Sequence, residues 1–458
     1  MVPEPLNLNR RPRLTEINPA GIPFGTSPSF YLFSANHQDP RSRFHWIAAH
    51  PTRWIFLYPT HIETESGILP VRHPSDIRHF LKSVWQVPPS HSPWLSGWFF
   101  LLGYELSWYL QETNLQPPAL PDDHCLGVLM QPGTLLRSPS SNPDWTGHLA
   151  HSSIQVPADH PLPTNPGVLS GSTGLSYADY ESAIRRILSH IRDGQTYEVN
   201  FCYPVHLTGL KESDQILFNR LVTTAGSSFT AYVNLGNRSI LSGSPERFFS
   251  LSDNQITVQP MKGTRKRLSD PVLDRKLRQE LKASEKDRAE NLMIVDLMRN
   301  DLGRICRAGS VQTTGLFEIE SYPTVHQMIS TVSGTVEPSV TFYDILSALF
   351  PPGSMTGAPK RKTMELIHDL EAWPRGFYSG ILGYWDGCSE AETSVLIRCM
   401  DRQGEKATIQ VGGGIVADSK PEEEYGETLI KLKSTLNALG AGSDAIHGIG
   451  PGWVENLR

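Results

Sequence analysis

An α+β sandwich is the fold class this 458-residue sequence predicts. Strand-like runs follow one another without a helix between each pair, and helical periodicities are scattered among them, which disfavours a doubly wound fold. No internal repeat is visible, which argues against a solenoid or propeller.

The elements can be read in chain order. Trp54 to Leu57 and Leu126 to Met130 are short β-like runs bounded by turn residues. The apolar stretch from Trp94 to Leu110 is broken by Ser96, Gly97, Gly103, Glu105 and Ser107, falls short of the about 20 residues of a membrane span, and reads as core. Pro, Ser, Asn and His crowd Ser138 to Ser176, so the expected organisation is an N-terminal region over 1–137, a linker or surface excursion over 138–175, a main region over 176–440 and a tail over 441–458.

Beyond the linker, Ser176 caps a helix bearing Tyr180, Ile184, Ile187, Leu188 and Ile191, with Gly194 as its stop. Strand-like runs follow at Tyr203 to Leu207, Thr230 to Leu235, Ile240 to Gly243 and Arg247 to Leu251. A polar helix from about Pro271 passes into another near Ser284, with Asp287 as capping-box partner and Leu292, Val295 and Met298 as its apolar face. Late in the chain Ser394 to Met400 and Ala407 to Val411 alternate like strands, and Ser419 caps a terminal helix with Pro421 in its first turn.

Composition narrows the function. With 39% hydrophobic residues, 19% charged residues and a net charge of −6, the chain suits an ordinary folded domain rather than a disordered or polyanion-binding one, and nucleic acid is not an expected partner. Met1 to Gly21 has no apolar central region, so neither a signal peptide nor a membrane anchor is expected, and a cytoplasmic location follows, with a plastid import segment ahead of residue 1 left open. Five cysteines, far apart and without Cys-x-x-Cys spacing, read as reduced and mostly buried thiols.

Five clusters carry the chemistry. In Gln259-Pro260-Met261-Lys262-Gly263-Thr264-Arg265, Lys262 is a candidate nucleophile if burial and the cations Arg265, Lys266 and Arg267 lower its pKa. A basic surface turn is the plainer alternative. Asp287 with Glu290, and Glu424 with Glu427, are carboxylate pairs three apart on a helix, able to hold a hard cation such as Mg2+. Acidic residues in a first turn are also explained by the helix dipole alone. The loop from Phe350 to Lys360, with Thr356, Gly357 and Ala358, runs into a helix and allows backbone N–H groups to approach a carboxylate. Gly412, Gly413 and Gly414 after a strand allow the same close approach. Each glycine cluster alone is equally a simple turn. Arg398, among Val395, Leu396, Ile397 and Cys399, sits in a run that reads as buried, where a guanidinium normally has an anion to bind.

In this order the clusters resemble the chorismate-binding family shared by aminodeoxychorismate, anthranilate, isochorismate and salicylate synthases. The resemblance covers roughly Ser176 to Leu439, and more loosely the N-terminal third through Phe33-Ser34-Ala35 and Ser42-Arg43-Phe44. It implies an anthranilate synthase component I-like sandwich with large antiparallel sheets and helices outside. It also implies Mg2+ on Glu290 and Glu427, supported by Asp287 and Glu424 and gripping the ring carboxylate of chorismate. Tyr384, Arg398, Lys431 and the backbone of Gly412 to Gly414 would bind substrate carboxylates, Thr356, Gly357 and Ala358 would line the pocket, and His326 would lie near the ring. A hydrogen-bonded core histidine is the alternative for His326.

Within the family, Lys before this Gly-Thr marks the aminodeoxychorismate branch, where anthranilate synthases carry Ala. The resemblance therefore implies a covalent Lys262 intermediate in amination of chorismate at C4, with Glu246 as the acid for the leaving hydroxyl. Isochorismate-type members carry a water-activating Lys where this chain has Thr196-Tyr197-Glu198-Val199-Asn200-Phe201. Met261 for Ile and Glu198 for Gln depart from the pattern. No cysteine has the flanks of a glutaminase nucleophile and no segment remains for a pyridoxal phosphate lyase, so a separate glutaminase is the expected ammonia source and a further enzyme would make 4-aminobenzoate. Relatives can hold a tryptophan near the place of Ser34. The rival readings are the large subunit of anthranilate synthase and a non-catalytic subunit that senses chorismate or tryptophan.

Overall fold

The computed structural model describes residues 28–33, 44–86, 97–111, 117–139, 146–149, 169–173, 175–224, 226–322, 325–439 and 446–447. Ser34, Ser42 and Arg43, most of 138–175 and most of the tail lie outside them.

Two long strands organise the sheet. Phe44–Leu57 and Gly127–Pro139 pair antiparallel along their length, with a bulge between Pro51 and Arg53. Two arms leave this pair. One runs through Ser29–Phe33, Phe229–Asn234, Ser239–Ser244, Cys399–Gln403, Lys406–Ile415, Val199–Thr208 and Leu169–Thr173. The other runs through Trp98–Leu102, Ile381–Trp385, Glu390–Val395, Arg247–Ser252, Gln255–Val258 and Val325–Thr335, which also carries Met261–Lys266 and Gln312–Ser321. The pairings are antiparallel apart from the short parallel contact of Ile446–His447 with Leu169–Thr173.

Because successive strand residues point to opposite faces, the first arm separates two cores. Phe30, Trp46, Ala231, Val233 and Ile240 join Phe99, Phe249 and Ile381 of the other arm in one of them. Their neighbours Tyr31, Ile47, Tyr232 and Leu241 turn the other way, onto helices Tyr177–Arg192, Asp214–Thr224 and Pro421–Ala438. The result is the α+β sandwich expected from the sequence. Among the described residues no helix is long and apolar enough to cross a membrane. All five cysteines are free, and four are buried.

Several local expectations are corrected. Ser394 to Met400 is not one strand: Glu390–Val395 ends, Arg398 takes a left-handed backbone (φ 49°), and Cys399–Gln403 begins in the other arm. Ser284 caps helix Glu285–Gly303 by accepting from the Asp287 N–H, but the Asp287 carboxylate pairs with Arg265 and does not complete a capping box. Leu292 is exposed, and the buried face of that helix is Asn291, Ile294, Val295, Met298, Asp301 and Leu302. Ser419 does not cap the terminal helix, whose cap is Lys420; its hydroxyl donates to Glu424 instead (2.7 Å). Gly412 to Gly414 lie inside strand Lys406–Ile415, paired with Cys202, Phe201 and Asn200, rather than after it.

One buried network fixes strand Val199–Thr208 to the Gly/Pro loop. Arg375, 2% exposed, donates to both oxygens of Glu371, to the carbonyls of Met355 and Asn200 (2.7 Å each) and to Ser379. Replacing one member of a buried ion pair strands the other charge and costs about 3–5 kcal/mol. Arg375→Met should therefore lower the melting temperature by roughly 5–10 °C in scanning calorimetry. An unchanged transition would show that the network does not hold the loop.

Candidate active site

Lys262 lies where the register of Met261–Lys266 against Val325–Thr335 shifts, and Gly263 in that irregularity adopts φ 82°. A Cβ at Gly263 would come within 2.9 Å of the Asp287 Cβ, so the glycine lets the first turn of helix Glu285–Gly303 close on the strand. The Lys262 ammonium is ion-paired with the buried Glu198 carboxylate. Gly414 faces the same two groups: a Cβ there would lie 2.9 Å from Lys262 Nζ and would overlap Glu198 Oε1.

The electrostatics differ from the sequence expectation. Burial alone draws the Lys262 pKa down, but the Glu198 carboxylate, with Glu290 and Glu246 behind it, holds it above the usual lysine value. The cations expected to lower it are engaged elsewhere or exposed. Arg265 pairs with Asp287 and Arg267 with Asp274, each at 2.9 Å, while Lys266 faces solvent. The resting Lys262 is an ammonium.

The Gly/Pro loop clamps the two flanking acids. Tyr197 N–H donates to the Ala358 carbonyl and Asn200 N–H to that of Thr356 (2.8 Å each), holding Glu198 between them. Gly357 adopts φ 130°, and a Cβ there would overlap the Glu198 carbonyl oxygen, so glycine is required. From the same loop, Ser354 Oγ donates to Glu246 Oε1 (2.7 Å). Thr356, fully buried, directs its hydroxyl to the carbonyls of Pro352 and Gly353.

Two helices supply the remaining carboxylates. Burial pushes the Glu290 pKa up to about 7, with Glu198 and Asp287 adding to the rise against Lys262 and Lys286. Lys431 holds Glu427 below the usual carboxyl value through an ion pair of 2.9 Å, helped by Lys262 and Lys286. Lys262 and Lys286 act on both Glu290 and Glu427. Burial raises the Glu424 pKa against its Ser419 hydrogen bond. Lys431 also donates to the Gly412 carbonyl (2.9 Å). Burial lowers the Arg398 pKa, since among the described residues no carboxylate pairs with it.

Two predicted residues are not brought to this group. Tyr384 lies opposite Glu392 and Phe99 in its strand, so its ring alternates into the apolar interior. There it packs on Trp46 (centroids 5.0 Å apart) and donates to Glu390 (2.7 Å), beside a cavity also lined by Phe33, Phe229 and Glu392. The tyrosine next to the glycine strand is Tyr378, whose hydroxyl accepts from the Cys202 thiol (4.0 Å) opposite Gly412. Its signal was the Tyr378-Ser379-Gly380 turn ahead of the strand. His326, 1% exposed, has Nδ1 on Ser321 (2.7 Å) and Nε2 on Asp274 (3.1 Å), the hydrogen-bonded core alternative. Ser354 was also missed; nothing but its place in the loop distinguished it.

The arrangement thus sets the Lys262 ammonium among Glu198, Glu290 and Glu246, with Lys431 joining Glu427 to the glycine strand. Comparison with known proteins shows which family the chain resembles. Aminodeoxychorismate synthase component 1 of Escherichia coli (strain K12) is 34% identical over 424 residues, covering 89% of this chain and 92% of that protein. An aminodeoxychorismate synthase of Streptomyces pristinaespiralis is 44% identical over 261 residues, 57% of this chain and only 36% of that longer protein. Anthranilate synthase component I from Streptococcus pneumoniae TIGR4 superposes with a TM-score of 0.72 at 25% identity, covering 87% of this chain and 93% of that one. The chorismate binding enzyme family matches residues 29–437, and the chain belongs to that family.

Proposed function

We propose that the chain is the synthase component of an aminodeoxychorismate synthase, converting chorismate and ammonia to 4-amino-4-deoxychorismate for 4-aminobenzoate and folate synthesis. The observation that carries this reading is Lys262, an amine buried among Glu198, Glu290 and Glu246 against the Gly414 backbone. Its nitrogen bonds to C2 of the ring, the two ring double bonds each move one position, and the C4–O bond breaks. Glu246 protonates the departing hydroxyl, which leaves as water. Ammonia then bonds to C4, the double bonds return, and the C2–N bond breaks to free Lys262. Arg398, Lys431 and the backbone of Gly412 to Gly414 receive the carboxylates, with Tyr378 in the place expected for Tyr384.

The residues present fit Mg2+. Glu290 and Glu427 offer hard oxygen donors, and the one ion pair that Glu290 makes among the described residues, with Lys286, is long at 3.9 Å. Among the described residues no three His, Cys, Asp or Glu form a metal cage, and magnesium commonly takes one or two carboxylates and fills its shell with water and substrate. Held by Glu290 and Glu427, with Asp287 and Glu424 supporting them, it would supply positive charge to the ring carboxylate. Glu290's pKa of about 7 exceeds the ordinary 4.5, so without a cation the folded state binds more protons than the unfolded one across that window and loses stability as pH rises through it. Magnesium should therefore raise the melting temperature more at about pH 8 than at about pH 6, and Glu290→Gln should abolish the difference. Equal shifts at both pH values would remove Glu290 from the metal site.

A glutaminase partner is the proposed ammonia source, in keeping with the component 1 name of the E. coli relative. The tryptophan position near Ser34 lies outside the described residues. The activity is tested by incubating the purified chain with chorismate, magnesium and ammonium chloride, with and without an aminodeoxychorismate lyase. Lyase-dependent 4-aminobenzoate is expected. Anthranilate without the lyase would assign the chain to the activity named for its S. pneumoniae neighbour.

A further inference from the structure

The nucleophile in the proposed reaction must lose a proton before its nitrogen can bond to carbon and recover one at the end of the cycle, and its surroundings narrow the choice of partner. Lys262 Nζ feels Glu198 from the residue ahead of strand Val199–Thr208, Glu290 from helix Glu285–Gly303 and Glu246 from the turn before Arg247–Ser252. Glu427 of helix Pro421–Ala438 also feels its charge, and the Gly414 backbone closes the remaining side. Glu290 and Glu427 are the metal carboxylates of the reading above. Glu246 accepts from Ser354 and serves the leaving hydroxyl. Glu198 is left without an assigned task.

Glu198 is also the group in direct contact. One oxygen receives the Lys262 ammonium, whereas the other is buried and has no hydrogen-bond partner among the described residues. A carboxylate oxygen left dry and unpaired is costly, and the backbone makes it hard to move: the Tyr197 and Asn200 N–H bonds to the Gly/Pro loop and the contact with Gly357 hold residue 198 from both sides. Glutamine, the residue that the family pattern usually has here, can accept the same hydrogen bond but cannot take up a proton.

We propose that Glu198 is the proton partner of Lys262, accepting the ammonium proton as the nitrogen bonds to substrate and returning it when the nitrogen leaves. This rests on the reading of Lys262 as nucleophile. In balance, Lys262–NH3+ and Glu198–COO− become Lys262–NH2 and Glu198–COOH. The free amine forms the C2–N bond as the C4–O bond breaks, and when ammonia has bonded to C4 and the C2–N bond has broken, the amine regains its proton from Glu198. The unpartnered second oxygen gives the acid form room to turn about its Cγ–Cδ bond, so that the new O–H does not occupy the nitrogen lone pair. Glu198 is thus a positioning and proton-holding residue that acts through Lys262.

The test pairs turnover with the chemical reactivity of Lys262. Carbamylation by cyanate without chorismate, followed by peptide mass spectrometry across pH, reads how readily the amine becomes neutral. Glu198→Gln removes the adjacent anion, so Lys262 should carbamylate at lower pH than in the wild type. Turnover should nevertheless fall by about 100-fold near neutral pH, with KM for chorismate within about twofold and the deficit narrowing as pH rises and solvent takes the proton. Glu198→Asp, which keeps a carboxyl, should stay within about tenfold of wild type, which a purely steric role does not predict. A Glu198→Gln enzyme as fast as wild type, while Lys262 still forms its adduct, would overturn this proposal alone. A fully active Lys262→Ala enzyme would overturn it together with the nucleophile reading.

Discussion

Lys262→Ala should lower formation of 4-amino-4-deoxychorismate by at least about 100-fold if, as proposed, its amine is a nucleophile that divides one difficult displacement into two easier ones. Any residual rate would be direct attack of ammonia on C4. Wild-type enzyme quenched after exposure to chorismate and magnesium without ammonia should carry added mass on the peptide containing Lys262, and the alanine variant should not. Fluorimetric detection of 4-aminobenzoate in the coupled assay gives the rate. If the variant turns over at the wild-type rate, ammonia is the only nucleophile and the buried lysine serves to balance three neighbouring acids.

Glu246→Gln should be comparably severe, about 10²–10⁴-fold in kcat, because hydroxide is a poor leaving group and the amide has no proton to give. Ser354 can donate to the amide oxygen as it does to Glu246, so the loop should keep its place and KM should change little. The Lys262→Ala, Glu246→Gln double variant is informative. Residues acting in one concerted step are strongly non-additive, so the double variant should be no more than about tenfold slower than the slower single one. Losses that multiply would mean that the two side chains serve separate steps.

Most of the scaffold was legible because it follows from local pattern. The helix over Tyr177–Arg192 was bounded by its Ser176 cap and Gly194 stop, and the strands over 199–208, 229–234, 239–244 and 247–252 by their β-rich runs. What failed depended on contacts between distant residues. Arg265 was expected to act on its near neighbour Lys262, yet the pleat carries it to Asp287. Tyr384 looked equivalent to any aromatic beside a glycine, and strand register alone sends it to Trp46 while Tyr378 meets Cys202. His326 was expected near the ring, with a hydrogen-bonded core histidine as the alternative, and the partners of both its nitrogens, Ser321 and Asp274, come from another strand and a helix. Glu198 was noticed as a departure from pattern, but its closeness to Lys262 joins elements from the two different arms of the sheet.

The pairing of early strands with strands far later in the chain bears on how the chain is made. Trp98–Leu102 pairs with Ile381–Trp385, and Ser29–Phe33 with Phe229–Asn234. At a synthesis rate of about 5–20 residues per second, Trp98–Leu102 waits roughly a quarter of a minute to a minute for its neighbour to leave the ribosome. During that time Phe99, Phe100, Leu101 and Leu102, fully buried in the finished sheet, have an open edge, and such long-range pairings are slow and prone to aggregation. Nascent chains of this protein should therefore be unusually dependent on chaperones until residue 385 has been added.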